Sequence, residues 1–399
     1  MVAAALKNLS ASGVHLAQLP PLSLYVHIPW CVRKCPYCDF NSHEARGAVP
    51  EGAYIDVLVR DLEQALPAIW GRRVYSIFFG GGTPSLFSAR AIDALLSALR
   101  ARLALAPECE ITLEANPGTF EVEKSRDFRA SGVNRLSVGI QSFDARHLGA
   151  LGRIHDAAEA RRAVEIALEC FDNVNLDLMY ALPEQTPAEA DADVRTAVSY
   201  GTPHLSFYHL TIEPNTLFHR HPPPVPDDDT AAAMQDLIEG RLAAAGYVHY
   251  ETSAYARPGQ ECRHNLNYWR FGDYLGIGAG AHSKLSFPDR IVRQMRTKQP
   301  GEYLKRAGDS TPIQEEHEVT RADAVFEFMM NALRLTEGFP VALFTERTGL
   351  PITAAEKPLA EAEARRLIVR DHQRIRPTEL GRRFLNDLLQ IFLSGDERE

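Results

Sequence analysis

Trp30-Cys-Val-Arg-Lys-Cys-Pro-Tyr-Cys-Asp-Phe40 places three of the chain's six cysteines on one short stretch. It follows directly on Leu24–Ile28, where Leu24, Val26 and Ile28 alternate with Tyr25 and His27 as in a β-strand. Cys31, Cys35 and Cys38, spaced Cys-x₃-Cys-x₂-Cys, can present three thiolates to three corners of a cubane. Most [4Fe–4S] clusters take four cysteines; three leave one iron open to an exogenous ligand. Two other uses compete. A structural zinc site wants four ligands, with His27 or His43 as the fourth, and a thioredoxin-like redox pair needs only Cys35 and Cys38. The spacing, together with a position at a strand end, favours the iron–sulfur cluster.

Outward from this loop, short strand-like runs alternate with helix-like segments. The expected strands are Leu24–Ile28, Val74–Phe79, Ile111–Ala115, Leu136–Ile140, Val174–Met179 and Leu205–Ile212. Between the first two, Tyr54, Leu58, Leu62, Ala65 and Ile69 recur at helical spacing. About six strand–helix units imply an α/β fold with a parallel sheet or a partial barrel. A fully buried parallel strand reads apolar on both faces, yet several strands here keep one face polar toward the C-terminal end. That is the end at which parallel α/β folds bind ligands, so Tyr25, Glu114, Gln141 and Asp177 are expected to converge on one polar cavity. An exposed face at a sheet edge explains one such strand and strains to cover four.

At 399 residues the chain exceeds one ordinary domain. The expected division is a flexible lead over 1–20, a core over 21–218, a linker and accessory segment over 219–310, and a C-terminal domain over 311–399. Hydrophobic residues at 45% and charged residues at 24% suit a globular protein with a buried core. A net charge of −9 argues against a protein that coats nucleic acid. No stretch approaches the roughly 20 apolar residues of a membrane span, and Met1–Ser10 is too short for a signal peptide. A cytoplasmic protein with a disordered lead is the expectation.

The remaining cysteines make no disulfide framework, and Cys109 and Cys170 suit small core-edge positions. His219–Asp229, with four prolines and an acidic run, reads as a loop ending at a helix N-cap. From about Thr311, helical stripes (Val325, Phe328, Met329, Ala332 and Leu335; Leu380, Phe384, Leu388 and Ile391) flank a hairpin-like Leu367–Arg376. A winged-helix-like domain is expected there; its acidic content argues against DNA.

Cys-x₃-Cys-x-Tyr-Cys after the first strand of such a fold resembles the radical SAM superfamily. That resemblance implies a partial (β/α)₆ barrel in which the three cysteines hold the cluster and S-adenosylmethionine (SAM) chelates the fourth iron. Phe79-Gly-Gly-Gly-Thr-Pro-Ser85 looks like the superfamily's glycine-rich stretch for the methionine amino group. Tyr25-Val-His-Ile-Pro29, Leu113-Glu-Ala-Asn-Pro117, Val138-Gly-Ile-Gln-Ser-Phe143 and Asn175-Leu-Asp-Leu-Met-Tyr180 narrow the resemblance to the anaerobic coproporphyrinogen III oxidase family. By that similarity Tyr25, Gly81 and Glu114 would contact the cluster-bound SAM. Tyr37, Gly82, Thr83, Gln141, Arg153 and Asp177 would line a second SAM or an adjacent substrate site.

Within the family the chain resembles the haem-chaperone branch more than the decarboxylases. Phe40 stands where a decarboxylase typically has a further cysteine, and His264-Asn-Leu-Asn-Tyr-Trp269 is similar to the His-Asn-x-x-Tyr-Trp motif associated with haem. An imidazole at His264 could ligate iron while Tyr268 and Trp269 cover the macrocycle; Cys262 is a possible other ligand. The bland alternative is an aromatic core strand with a capping His-Asn pair. Implied partners are haem, a haem-acceptor protein and an electron donor for the cluster, with membrane association during haem delivery. The competing function is oxygen-independent coproporphyrinogen III oxidase, a radical decarboxylase. Gly276-Ile-Gly-Ala-Gly-Ala-His-Ser283 lacks Gly-x-Gly-x-x-Gly spacing, so it is read as a loop near the SAM region and not as a Rossmann site.

Overall fold

The computed structural model describes residues 14–119 and 121–393; the lead expected over residues 1–13 lies outside them. Six parallel strands form the centre: β1 (Leu22–Ile28), β2 (Arg73–Gly81), β3 (Ala104–Ala115), β4 (Arg135–Gln141), β5 (Val174–Tyr180) and β6 (His204–His209). Helices α1 (Glu51–Ile69), α2 (Ala89–Arg102), α3 (Val122–Ser131), α4 (Ala157–Cys170) and α5 (Pro187–Ser199) make the crossovers, and α6 (Asp228–Ala244) packs on α5. Their starts are written locally. At α4 the Asp156 side chain accepts from Ala158 and Glu159 amides while Glu159 reaches back, and Thr186 and Glu189 repeat this capping box at α5. The α1 stripe of Tyr54, Leu58, Leu62 and Ile69 is buried against the sheet.

The sheet continues past residue 218, where the core was expected to end. On one side β8 (Ala254–Ala256) pairs antiparallel with β6, and β7 (Val248–Glu251) with β8. On the other, β9 (Asp273–Ile277) pairs parallel with β1, followed by antiparallel β10 (His282–Phe287), β11 (Arg290–Arg296) and β12 (Ile313–Glu318). Residues 219–310, expected as a linker and accessory segment, thus supply five of the twelve strands. The physical reason is edge protection: β1 is buried on both faces and needs a hydrogen-bonded neighbour on each side. A buried ion pair, Asp61–Arg296 at 3.1 Å, ties α1 to β11.

Residues 14–20, part of the expected flexible lead, are pinned. Val14 and Leu16 are buried in the C-terminal core, and the Leu16 amide donates to Pro288 O at 2.9 Å. That core gathers Phe328 of α8 (Arg321–Ala332) with Phe339, Phe344 and Leu359. Its three-stranded sheet joins Phe339–Pro340 to the hairpin of Ile368–Arg370 and Arg374–Pro377, where the sequence pattern expects one. No helix among the described residues is long and apolar enough to cross a membrane.

Candidate functional site

The curl of β2 to β6 encloses a cavity of about 370 Å³, with the cysteine loop along its rim. Two backbone bonds fix that loop to the glycine turn after β2: the Gly82 amide donates to Ile28 O and the Thr83 amide to Trp30 O, both at 2.7 Å. A Cβ on Gly82 would lie 2.5 Å from Trp30 O, and one on Gly81, at φ +115°, 2.5 Å from the His27 ring. The glycines are therefore required by the approach of β2 to the end of β1.

All three loop cysteines border the cavity and none is in a disulfide. Cys31 is buried, fixed by pairing with Glu44, while Cys35 and Cys38 share a turn closed by a 3.1 Å amide–carbonyl bond. Burial pushes the Cys31 thiol up, against hydrogen bonding from Thr83 and Ser42. The Thr83 hydroxyl accepts from Asn116 Nδ2 at 2.9 Å, and Arg153 donates to Asn116 Oδ1, to Gly139 O at 2.9 Å and toward Cys35 Sγ at 3.6 Å. Tyr37, its hydroxyl pushed up by burial, packs on Phe218.

Inside the barrel, Glu114 accepts from the Gly81 amide at 3.2 Å. Burial first, then the charge of Asp177, push its carboxyl up to about 8, so it is protonated at neutral pH. Burial raises Asp177 too, but Ser137 Oγ at 2.7 Å and Asn175 Nδ2 at 2.9 Å donate to its carboxylate and oppose the shift. Glu114, Gln141 and Asp177 line one cavity together with Tyr37, Gly81, Gly82, Thr83 and Arg153. Tyr25 is set back from it, hydrogen-bonded to His27 Nδ1 at 3.0 Å and stacked on Phe78, which does line it. Gln141 holds φ +68°, a left-handed conformation at the strand end.

One lining residue escaped the sequence reading. Arg135, 2% exposed, faces the cavity, and its Nε has no hydrogen-bond partner. It lies in phase with Ser137, Gly139 and Gln141, one position before the expected start of its strand, so extending that alternation by one step would have found it.

The His264–Trp269 motif forms a short helix, α7 (Arg263–Trp269), and not the aromatic strand considered above. It plugs the barrel at the N-terminal ends of the strands. Glu110 of β3 caps it, accepting from the Arg263 amide at 3.2 Å and the His264 amide at 3.0 Å. His264 is 1% exposed, with Nδ1 2.9 Å from Ser76 Oγ, Nε2 3.2 Å from Tyr268 Oη and its ring 5.0 Å from Phe78. Burial pulls its pKa down to about 3. Trp269 lies under the Arg334 guanidinium at 4.4 Å. Cys262 is also buried, its thiol pushed up to about 12. Asn265 alone of this helix reaches the cavity. The Gly276–Ser283 loop packs on the cysteine loop instead, through Asn41 Nδ2 to Ala279 O at 2.9 Å.

Comparison with known proteins agrees with this architecture. The radical SAM superfamily matches residues 25–197 and the HemN C-terminal domain residues 319–384. The chain is 49% identical over 384 residues to the heme chaperone HemW of Escherichia coli K12, covering 95% of this chain and 100% of that protein. The heme chaperone HemW of Haemophilus influenzae is 49% identical over 390 residues, covering 96% and 100%. The solved coproporphyrinogen III oxidase HemN of Escherichia coli, a radical SAM enzyme, superposes with a TM-score of 0.79 over 94% of this chain and 90% of that one. At 23% identity it speaks to the fold alone. With half its residues shared along the full length of the heme chaperone HemW, the chain belongs to the HemW family of the radical SAM superfamily.

Proposed function

We propose that this chain is a haem chaperone that binds haem, carries a [4Fe–4S] cluster with SAM, and passes haem to an acceptor protein. The observation that carries the reading is the 49% identity to the heme chaperone HemW over the whole chain. Cys31, Cys35 and Cys38 would hold the cluster. They fit it as three free thiols bordering one cavity, with Arg153 beside Cys35 to offset thiolate charge. When bound, the cluster and SAM supply one-electron chemistry, fed by an electron donor.

The chain's own residues bind and orient. Tyr25, Gly81 and Glu114 are assigned to the cluster-bound SAM, with the neutral Glu114 carboxyl able to donate as well as accept. Tyr37, Gly82, Thr83, Gln141, Arg153 and Asp177 are assigned to a second SAM or the adjacent substrate. There Asp177 and Gln141 offer oxygen acceptors to hydroxyl groups. His264, Tyr268 and Trp269 remain assigned to haem through the motif they resemble. The protein works in the cytoplasm, meeting a membrane when haem is delivered.

The test is an anaerobic haem titration of the cluster-reconstituted protein beside a coproporphyrinogen III turnover assay with SAM and reductant. Stoichiometric haem binding without decarboxylation supports the chaperone. Turnover without specific haem binding makes the chain a decarboxylase.

A further inference from the structure

Where the motif helix meets the C-terminal domain, three buried polar atoms gather without a hydrogen bond. Trp269 Nε1 belongs to the last residue of α7, Glu251 Oε2 to the last residue of β7, and Arg334 Nε to a residue just after α8. None of the three has a hydrogen-bond partner among the described residues. Native interiors leave few such groups, and each one calls for an explanation.

Arg334 joins the other two. Its guanidinium lies over the Trp269 ring, 4.4 Å from the centroid, and its Nη2 stands 3.6 Å from Glu251 Oε2. The Glu251 side chain is 3% exposed; burial pushes its carboxyl up, and the Arg334 charge pulls it back. At 3.6 Å the two are held by charge and not by a hydrogen bond, which leaves the flat face of the guanidinium to the ring. The backbone around Arg334 is anchored without help from its side chain. The Thr252 amide donates to Arg334 O at 3.1 Å, the Thr336 amide to Tyr250 O at 3.2 Å and the Thr336 hydroxyl to His249 O at 2.6 Å. The guanidinium therefore reaches Trp269 from a rigid support.

Trp269 depends on that support. Its ring is half-buried, its indole N–H has no acceptor among the described residues, and the neighbouring Tyr268 ring is tilted at 6.5 Å. An indole held in one pose is a ready platform for a planar macrocycle, and a pose fixed beforehand raises affinity by removing the cost of ordering it.

We propose that Arg334 is a positioning residue of the haem site, fixing the Trp269 ring for the macrocycle from within the C-terminal domain. This rests on the haem-chaperone reading and on the assignment of the His264–Trp269 motif to haem. It brings the part of the chain that matches the HemN C-terminal domain into the haem site, through a residue outside the motif.

The test is an anaerobic haem titration of the full chain with its cluster, followed in the Soret band and run beside urea unfolding. Arg334→Lys keeps a cation for Glu251 but loses the planar group that stacks on the ring. It is expected to weaken haem binding about fivefold, with the urea midpoint and the iron–sulfur absorbance of the parent. Arg334→Gln, which also strands Glu251, is expected to bind more weakly still and to lower the midpoint. Because Arg334 acts through Trp269, adding Arg334→Lys to Trp269→Leu is expected to change haem affinity by no more than about twofold. A lysine variant that binds haem as tightly as the parent overturns the inference, and so does an equal loss in the Trp269→Leu background. The lysine comparison stands even if Arg334→Gln or Trp269→Leu fails to fold. If the parent takes up no haem, the chaperone reading itself falls.

Discussion

Across the barrel floor, His264 Nδ1 meets Ser76 Oγ at 2.9 Å, joining the motif helix α7 to strand β2. The bond packs His264 into the floor of the barrel, and its removal has a predictable effect on stability. His264→Ala leaves the Ser76 and Tyr268 hydroxyls short of a partner and opens a void beside Phe78. Together these are worth roughly 2–4 kcal/mol, read as a lower urea midpoint at pH 7.5. The sign of the pH dependence follows from a folded pKa of about 3. The neutral ring is favoured in the folded state, so its contribution is complete above the unfolded value near 6.5 and is lost as pH falls toward 3. His264→Gln should therefore lose less stability than the parent between pH 7 and pH 5. Equal losses would show that the ring titrates freely.

Glu114 has the opposite sign. Its carboxyl is raised to about 8, so the folded state holds a proton that the unfolded chain releases near 4.5. Stability falls as pH rises between those values. Glu114→Gln keeps an acceptor for the Gly81 amide while removing the charge. Relative to the parent, it should gain stability between pH 6 and pH 9, by on the order of 1–3 kcal/mol. A parallel pair of stability curves would mean that Glu114 is ionised at neutral pH.

Much of this site was legible because its residues alternate. Thr112 and Glu114, or Asn175 and Asp177, share a strand face that only a polar interior explains, and the same parity placed Gln141. Tyr25 shows what strand alternation leaves open. It has the right phase, but Phe78 and Gly80 stand between it and the cavity, and no strand pattern reveals which of two inward side chains lies in front. Arg135 was hidden by a boundary set one residue late. The hardest feature was α7. Its aromatic content reads as strand, and what makes it a helix is a cap from Glu110, 154 residues away in sequence from His264. Long-range capping of that kind leaves no local signal.

The cluster assignment has a sharp control within the chain. Cys35→Ala removes one of three thiols bordering the cavity, and reconstitution with iron and sulfide should no longer give the visible iron–sulfur absorbance. Cys109, buried at the edge of the core with its thiol pushed up to about 12, lies outside that cavity. Cys109→Ala should keep the full absorbance and lose only a little stability. Equal absorbance in both variants would remove Cys35 from the ligand set.

Residues 219–310 are tied to the barrel through one buried carboxylate. Asp61 on α1 is fully enclosed. Its Oδ1 accepts from Arg296 Nε at 3.2 Å and Nη2 at 3.1 Å, and its Oδ2 from Tyr303 Oη at 2.8 Å and the Gly278 amide at 3.2 Å. Four donors, all from the chain's later part, converge on one early carboxylate. Asp61→Ala would strand the Arg296 guanidinium in the interior, a change worth about 3–5 kcal/mol. Asp61→Asn, which keeps an acceptor, should cost less. Paired replacement by Asp61→Leu and Arg296→Met should recover most of the loss, because no charge is then left buried alone. If the later strands were an independent accessory, Asp61→Ala would unfold in two steps, with the core over 21–218 intact in the second. A single cooperative urea transition at a lower midpoint is the expected result, since β9 lies directly against β1 and the sheet has no seam there.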